Sequence, residues 1–124
     1  MNLIINSVTD YGTLASERVN ISVLEDCDLC YYIIVDTTFV GDTEISNKMR
    51  HMYWFVSKNV KKGDEVILYT KSGTNKTEEI NGGKNKRYTL FWNLGNSVWN
   101  NTGDAAVLFE VRTWKTTKVV ENKK

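Results

Sequence analysis

Proline is absent from the 124 residues, histidine occurs once and cysteine occurs twice. Two cysteines and one histidine are too few for a structural zinc site, which takes four cysteine or histidine ligands. No stretch approaches the roughly 20 apolar residues of a membrane-spanning helix. The N-terminus also lacks the basic segment and apolar run of a signal peptide. We therefore expect a cytoplasmic protein with no membrane contact, no metal and no cofactor.

Recognisable catalytic motifs are also missing. The sequence contains no G-x-S-x-G, no H-E-x-x-H and no glycine-rich phosphate loop after a strand. His51 is the one side chain suited to acid–base chemistry near neutral pH, and it stands in a segment that reads as a strand rim. We expect a non-enzymatic protein, with a hydrolase that uses His51 as the alternative.

Two polar segments suggest chemistry without meeting its requirements. Cys27 and Cys30 form a C-x-x-C pair, but Glu25, Asp26 and Asp28 beside them should raise the thiol pKa values, whereas a redox pair needs a stabilised thiolate. The interpretation is that these cysteines are small buried side chains beside a turn. The same acidic residues lack the spacing of an EF-hand, which leaves a loose calcium site as the alternative to a solvated turn.

Apolar and polar residues alternate with a period of two along most of the chain, which is typical of half-buried strands. β-Branched and aromatic residues are concentrated in the same segments, and Gly-containing turns separate them. The sequence predicts about seven antiparallel strands and an all-β fold. These strands lie at 3–8 (an edge), 17–26, 31–39, 51–56, 65–71, 87–94 and 105–111.

Composition and spacing predict the extent of the domain and the connections between its strands. Residues 1–124 are expected to form a single β-sandwich domain with its core at about 3–115 and a partly disordered tail at 116–124. The best helical candidate is one turn at 45–49. Fifteen residues at 72–86 read as a long functional or mobile loop, with a tight turn at Asn81-Gly82 near its tip.

Charge is distributed unevenly along the chain. Residues 1–44 hold one basic residue against eight acidic ones, and the remainder holds fifteen basic residues against seven acidic ones. In the folded domain these halves either form opposite surface patches or interleave, since strands distant in sequence pair with each other. We expect them to interleave.

Basic residues cluster at two places that could bind a partner. The first precedes a Gly-Asp turn and the second ends the long loop, where aromatic residues follow. The candidate binding residues are Lys58, Lys61, Lys62, Lys84, Lys86 and Arg87. Such clusters suit phosphate contact, but neighbouring glutamates and a pI near 7.7 fall short of a strongly basic nucleic-acid-binding domain.

One motif is similar to a known family. The order Trp99-Asn100-Asn101-Thr102-Gly103-Asp104, followed by Ala105 to Leu108, resembles the closing hairpin of the lamin tail domain, where bacterial members carry W-N-N-x-G-D-x-x-x-L. The segments "VKKGDEVILYT" and "ERVNISVLEDC" resemble two further elements of that family. The usual proline before the Gly-Asp turn and the N-x-G turn are absent here.

This resemblance implies an immunoglobulin-like β-sandwich of lamin-tail type, in which Trp99 closes one end of the core and the turn is structural. The family's members are non-catalytic modules thought to mediate binding. The sequence therefore predicts a binding or adaptor module that engages a protein partner through loops. The alternatives are a small phage- or mobile-element-encoded inhibitor of a host enzyme or defence system, and a weak nucleic-acid-binding domain.

Overall fold

Strands make up most of the regular structure in the computed structural model, which describes residues 1–40, 44–45, 49–99 and 103–120. The described residues contain no α-helix, only two 3₁₀ turns at Leu29–Tyr31 and Asn81–Gly83. In chain order the strands are β1 (Leu3–Thr9), β2 (Arg18–Val23), β3 (Cys27–Asp28), β4 (Tyr32–Val40), β5 (Glu44–Ile45), β6 (Met52–Trp54), β7 (Asn59–Val60), β8 (Glu65–Tyr69), β9 (Lys76–Ile80), β10 (Asn85–Phe91) and β11 (Asp104–Glu110).

These strands form two main sheets and one short pair. The larger sheet has the order β1-β2-β8-β10-β9, so β1 is an edge strand as predicted. In the smaller sheet β4 pairs with β11, β5 and β6, and β3 pairs with β7. Every pair is antiparallel except β8 with β10, which run parallel. The chain is thus all-β, with several sheets.

The predicted strand count was too low and the prediction of purely antiparallel pairing was wrong. All seven expected strands are present, but β3, β5, β7 and β9 are additional. β9 lies inside the segment predicted to be a long loop. Its first four residues are exposed, so neither face shows the apolar alternation from which strands are recognised. Of the expected helical turn, Ile45 lies in β5 and residues 46–48 fall outside the described residues.

Both main sheets contribute side chains to one hydrophobic core. β2 alternates between half-buried and buried residues, and its buried Val19, Ile21 and Val23 belong to that core. β8 adds Val66 and Leu68 in the same way. From the smaller sheet come Tyr32 and Ile34, together with the partly buried Tyr53 and Leu108. The core therefore lies between the two sheets.

Trp99 lies in this core and is 3% exposed, as expected for the residue that closes one end. Residues 100–102 lie outside the described residues, while Gly103 has a φ of 89°, a left-handed conformation that favours glycine. The carboxylate of Glu17 holds this corner: it accepts hydrogen bonds from the backbone N–H groups of Val98 (2.9 Å) and Trp99 (3.1 Å). The β1–β2 connection is thereby joined to the segment that leads to β11.

Candidate interaction surface

The two predicted basic segments meet at one end of the larger sheet. One is the turn that precedes β8 and the other is the β9–β10 hairpin. The hairpin tip spans 81–84, and both Asn81 and Gly82 have positive φ angles, of 53° and 67°. The turn signal at Asn81-Gly82 therefore marked the tip correctly. The stretch around it is a strand hairpin and not an unstructured loop.

A buried aspartate joins the segments. Asp64 Oδ2 accepts a hydrogen bond from Lys61 N at 2.9 Å, and Oδ1 accepts from Lys86 N at 3.0 Å and from Asn85 Nδ2 at 3.1 Å. Asn85 Nδ2 also donates to the carbonyl oxygen of Lys62 at 2.9 Å. We refer to Asp64 and Asn85 as the Asp64–Asn85 clamp. It fixes the backbone of both basic segments at once.

Gly63 fits closely against this clamp. Its φ is 91°, and a Cβ atom there would lie 2.8 Å from Asn85 Nδ2. A side chain at this position would meet both backbone strain and a steric clash. The Gly-Asp turn thus requires glycine for the close approach of Asn85 as well as for the turn itself.

Five lysines surround the clamp and are all exposed to solvent. They form what we call the lysine cluster: Lys58, Lys61, Lys62, Lys84 and Lys86. The Lys58 ammonium lies 5.2 Å from the centre of the Tyr88 ring, a cation–π distance, and Lys62 Nζ lies 3.8 Å from Glu25 Oε1. Among the described residues, no acidic group lies within ion-pair distance of the ammonium groups of the other three.

Arg87 lies on the other face of the larger sheet. Consecutive residues of a strand point to opposite faces, and Tyr88, next to it, is buried in the core. Arg87 Nε donates to Glu65 Oε2 at 2.8 Å, and this pairing raises the pKa of the guanidinium. Its side chain lines a shallow pocket of about 270 Å³ with the stacked rings of Tyr69 and Phe91. Arg87 is therefore separate from the lysine cluster.

Acidic and basic segments interleave at this end of the molecule. β3 pairs with β7, which places the acidic turn against the lysine-bearing turn. Asp26 accepts a hydrogen bond from Lys62 N at 2.8 Å, and Asp28 accepts one from Lys58 N at 3.1 Å. The expected interleaving is confirmed here, and the lysine cluster borders on carboxylates.

Hydrogen bonds lower the pKa values of two aspartates at this end of the molecule, Asp28 and Asp64. The Cys30 N–H, with help from Ser57 and Lys58, lowers the pKa of Asp28 below its ordinary value of 3.8. Burial alone would raise the pKa of Asp64, but hydrogen bonds from Lys61, Lys86 and Asn85 outweigh it and the pKa is lowered. Both groups therefore stabilise the fold where they are charged.

We expect Asp28 to contribute a pH-dependent part of the stability. A lowered folded-state pKa means that the contribution is fully present above the unfolded value of 3.8 and is lost as the pH falls through the folded value. Urea unfolding of wild type and Asp28→Asn at a series of pH values measures it. The difference in free energy of unfolding should be largest near neutral pH and shrink below pH 3.8. A difference that does not change with pH would contradict this role.

His51, the candidate for acid–base chemistry, contacts a buried carboxylate. His51 is 45% exposed at the side chain, which matches the predicted rim position, and its Nδ1 lies 3.0 Å from Oδ1 of the buried Asp36. Asp36 Oδ1 also accepts the His51 N–H at 2.6 Å. Among the described residues, no group other than Asp36 is within hydrogen-bond distance of the imidazole.

Both cysteines are free and partly buried. Burial raises the pKa of the Cys27 thiol, and the carboxylates of Asp28, Glu110 and Asp26 raise it further. Desolvation and Asp28 likewise raise the pKa of Cys30. The prediction is confirmed for Asp26 and Asp28 at Cys27 and for Asp28 at Cys30, but burial is the largest cause for both thiols and Glu25 is not among the causes. A smaller fraction of each thiol is therefore ionised at neutral pH than in free cysteine.

In the described ranges, no group of three or more His, Cys, Asp and Glu side chains is placed to hold a metal ion. No helix in that part of the chain has the length and apolar character needed to span a bilayer. No protein-family model matches the chain, and no curated protein matches it.

Proposed function

We propose that this protein is a non-enzymatic binding or adaptor module that docks a protein partner through the lysine cluster. The observation that carries the proposal is the Asp64–Asn85 clamp, which holds two lysine-bearing segments in one arrangement by four hydrogen bonds, three of them partly buried. A surface fixed before binding loses less conformational entropy when it docks. Long-range attraction between its ammonium groups and an acidic partner would also speed association.

A protein partner suits this surface better than a nucleic acid. Glu25, Asp26 and Asp28 lie beside the lysines and would face the phosphates of a polyanion laid across them. A protein surface can place acidic groups against the lysines and neutral or basic groups against the carboxylates. Discrete complementarity of this kind gives specificity, whereas phosphate binding requires a continuous basic surface.

We also propose that the fold is an immunoglobulin-like β-sandwich related to the lamin tail domain. Two sheets that enclose one core support this, as does the position of the Trp-Asn-Asn-x-Gly-Asp motif. Trp99 is buried in the core and Gly103 stands directly before β11, as the family resemblance implies. A non-catalytic binding role agrees with that assignment, although a shared fold alone does not establish function.

Charge reversal tests the proposed surface. We expect Lys61→Glu combined with Lys86→Glu to lower retention of the partner about tenfold or more, because two attractive contacts become repulsive. The matched control is Lys115→Glu with Lys118→Glu, which makes the same charge change on an exposed segment after β11. Affinity capture from cell lysate, with and without nuclease at about 0.15 M salt, provides the measurement.

Three outcomes of that capture would be decisive. A protein retained by wild type and the control, but lost from the lysine-cluster variant, supports the proposal. Equal retention by all three proteins would place the binding surface elsewhere. Retention that disappears after nuclease treatment would replace the protein partner with a nucleic acid.

A further inference from the structure

Large apolar side chains lie on the face of the smaller sheet that points away from the core and on the segments next to that face. Five of them, each 37% to 59% exposed, form what we call the aromatic face: Tyr31, Met52, Trp54, Phe109 and Trp114. Soluble monomers rarely expose contiguous apolar patches unless the patch binds something. This face lies outside the core that the two sheets share.

The register of the strands explains why the face is apolar. Ile33 of β4 is paired with Trp54 of β6 on one side and with Phe109 of β11 on the other. Two residues further along, Val35 is paired in the same way with Met52 and Val107. Directly paired residues share a face, and all six of these side chains are apolar. Val35 is buried, whereas Met52, Trp54 and Phe109 are exposed. Around Ile33 and Val35 the sheet therefore carries apolar side chains on its outer face as well as on the face toward the core.

The rings of this face are held in a fixed arrangement. Trp54 Nε1 donates to the carbonyl oxygen of Cys30 at 2.8 Å. The Trp114 ring meets the edge of Trp54 at 4.9 Å between centroids and lies 5.9 Å from Tyr31. After β11 the backbone remains attached to β4 through Val111 N and the oxygen of Tyr31, at 2.8 Å. Trp114 is thus a half-exposed ring that packs against Trp54 and Tyr31.

An acidic pocket adjoins the aromatic face and shares Tyr31 with it. The pocket has a volume of about 470 Å³, and its lining includes Asp26, Asp28, Glu110 and Arg112. Three carboxylates against one guanidinium leave an excess of negative charge. The same three carboxylates raise the pKa of Cys27, which also lines the pocket, so their fields converge there.

Two of these carboxylates retain an oxygen for a ligand. Glu110 accepts the Tyr32 hydroxyl at 2.5 Å through Oε2, and Asp26 accepts Lys62 N through Oδ1. Within the described residues, neither Glu110 Oε1 nor Asp26 Oδ2 accepts a hydrogen bond from another group. A guanidinium or ammonium group entering the pocket would find two carboxylate oxygens as acceptors beside the Tyr31 ring, which also attracts cations.

We infer that the aromatic face and the acidic pocket form one docking surface for a basic peptide segment of a partner protein. An arginine or lysine side chain of that segment occupies the pocket, and an apolar neighbour covers Trp54 and Trp114. Charge complementarity selects this occupant, because the pocket beside the rings is lined by three carboxylates and one guanidinium. The surface is opposite in sign to the lysine cluster and borders it at Asp26 and Asp28, but its test does not depend on the function proposed for that cluster.

A defined peptide tests this inference on the full chain. The probe is a short fluorescein-labelled peptide that alternates arginine and leucine, compared with its glutamate–leucine and arginine–glycine counterparts. We expect wild type to bind the first peptide best in fluorescence anisotropy, since it alone supplies both cations and apolar side chains. Trp114→Ala should weaken that binding on the order of tenfold, as loss of a central aromatic contact does.

The carboxylates are tested with isosteric variants. Asp26→Asn combined with Glu110→Gln removes two charges and keeps the acceptors for Lys62 N and the Tyr32 hydroxyl, so the fold should persist. We expect binding of the arginine–leucine peptide to fall about tenfold here too. Glu44→Gln with Glu79→Gln is the matched charge control, and Tyr11→Ala is the aromatic control; all three side chains are exposed. These controls should bind like wild type.

Each alternative outcome is informative. Equal binding by wild type and both the Trp114 and carboxylate variants would overturn the inference, as would equal affinity for the glutamate–leucine peptide. Sedimentation of the free protein distinguishes self-association. A concentration-dependent dimer that is abolished by Trp114→Ala would show that a second copy covers the aromatic face, which also overturns it.

Discussion

Replacement of Glu17 by alanine is expected to destabilise the protein by about 4 kcal/mol or more, because it leaves buried backbone N–H groups without an acceptor. Glu17 is fully buried and accepts four hydrogen bonds. Besides Val98 N and Trp99 N, the donors are Gly12 N at 2.9 Å and the Thr70 hydroxyl at 2.6 Å. Domains of this size have stabilities of roughly 5–15 kcal/mol, so this single change would consume much of the total.

Urea unfolding followed by tryptophan fluorescence measures the effect, with Glu25→Ala as the control. Glu25 is exposed and has only a 3.8 Å contact with Lys62, so its loss should alter stability by no more than about 0.5 kcal/mol. If Glu17→Ala does not fold, Thr70→Val removes one of the four donors and should cost about 1 kcal/mol. A Glu17→Ala protein as stable as Glu25→Ala would show that the corner does not depend on this carboxylate.

Removal of the Asp64 side chain is expected to have the second-largest effect, a loss of about 3 kcal/mol in the free energy of unfolding. Asp64→Ala leaves three donors without their acceptor at a buried position: Lys61 N, Lys86 N and Asn85 Nδ2. The two lysine-bearing segments would then lose their shared anchor. We therefore also expect weaker partner binding, although every lysine remains in place.

A double-mutant cycle with Asn85→Ala separates the clamp from general destabilisation. Asn85→Ala alone should cost about 1 kcal/mol, and the double variant should cost less than the sum of the single changes, since the residues share a hydrogen bond. Amide hydrogen exchange at Lys61 and Lys86 should accelerate in Asp64→Ala more than exchange in β2. Strict additivity, with unchanged exchange at both lysines, would show that no clamp exists.

The strands could be predicted because burial on one face imposes a period of two. All seven segments with that pattern are strands, and β1 is at an edge as expected. β9 was missed because its pairing to β10 depends on backbone hydrogen bonds and on no buried alternation. The parallel pairing of β8 with β10 was missed for a related reason: sequence pattern identifies a strand, but not its neighbour.

The candidate site was predictable only in part. The Gly-Asp turn and the lysine positions were visible, but Asn85 carried no signal, since its partner Asp64 lies 21 residues earlier. Glu17 is a similar case, with partners up to 82 residues away. Arg87 could have been separated from Lys86 by strand alternation alone, because neighbours on a strand face opposite ways. The aromatic face could not be foreseen as a unit, since strand register brings Met52, Trp54 and Phe109 together and its other two rings join them from outside the strands.

The exposure of β9 has a consequence for how the protein could diverge among relatives. Its first four residues are exposed, so their side chains can change without disturbing the core. Asp64 and Asn85 are joined by a hydrogen bond, and Asn85 packs so closely on Gly63 that a side chain there would clash. We therefore expect these three residues to tolerate little substitution. Residues of β9 can therefore change with binding specificity, whereas the turn at Gly63 and Asp64 and its contact with Asn85 must be kept for the protein to fold. Substitution in an exposed strand beside a tightly constrained turn can therefore change what this scaffold binds without changing how it folds.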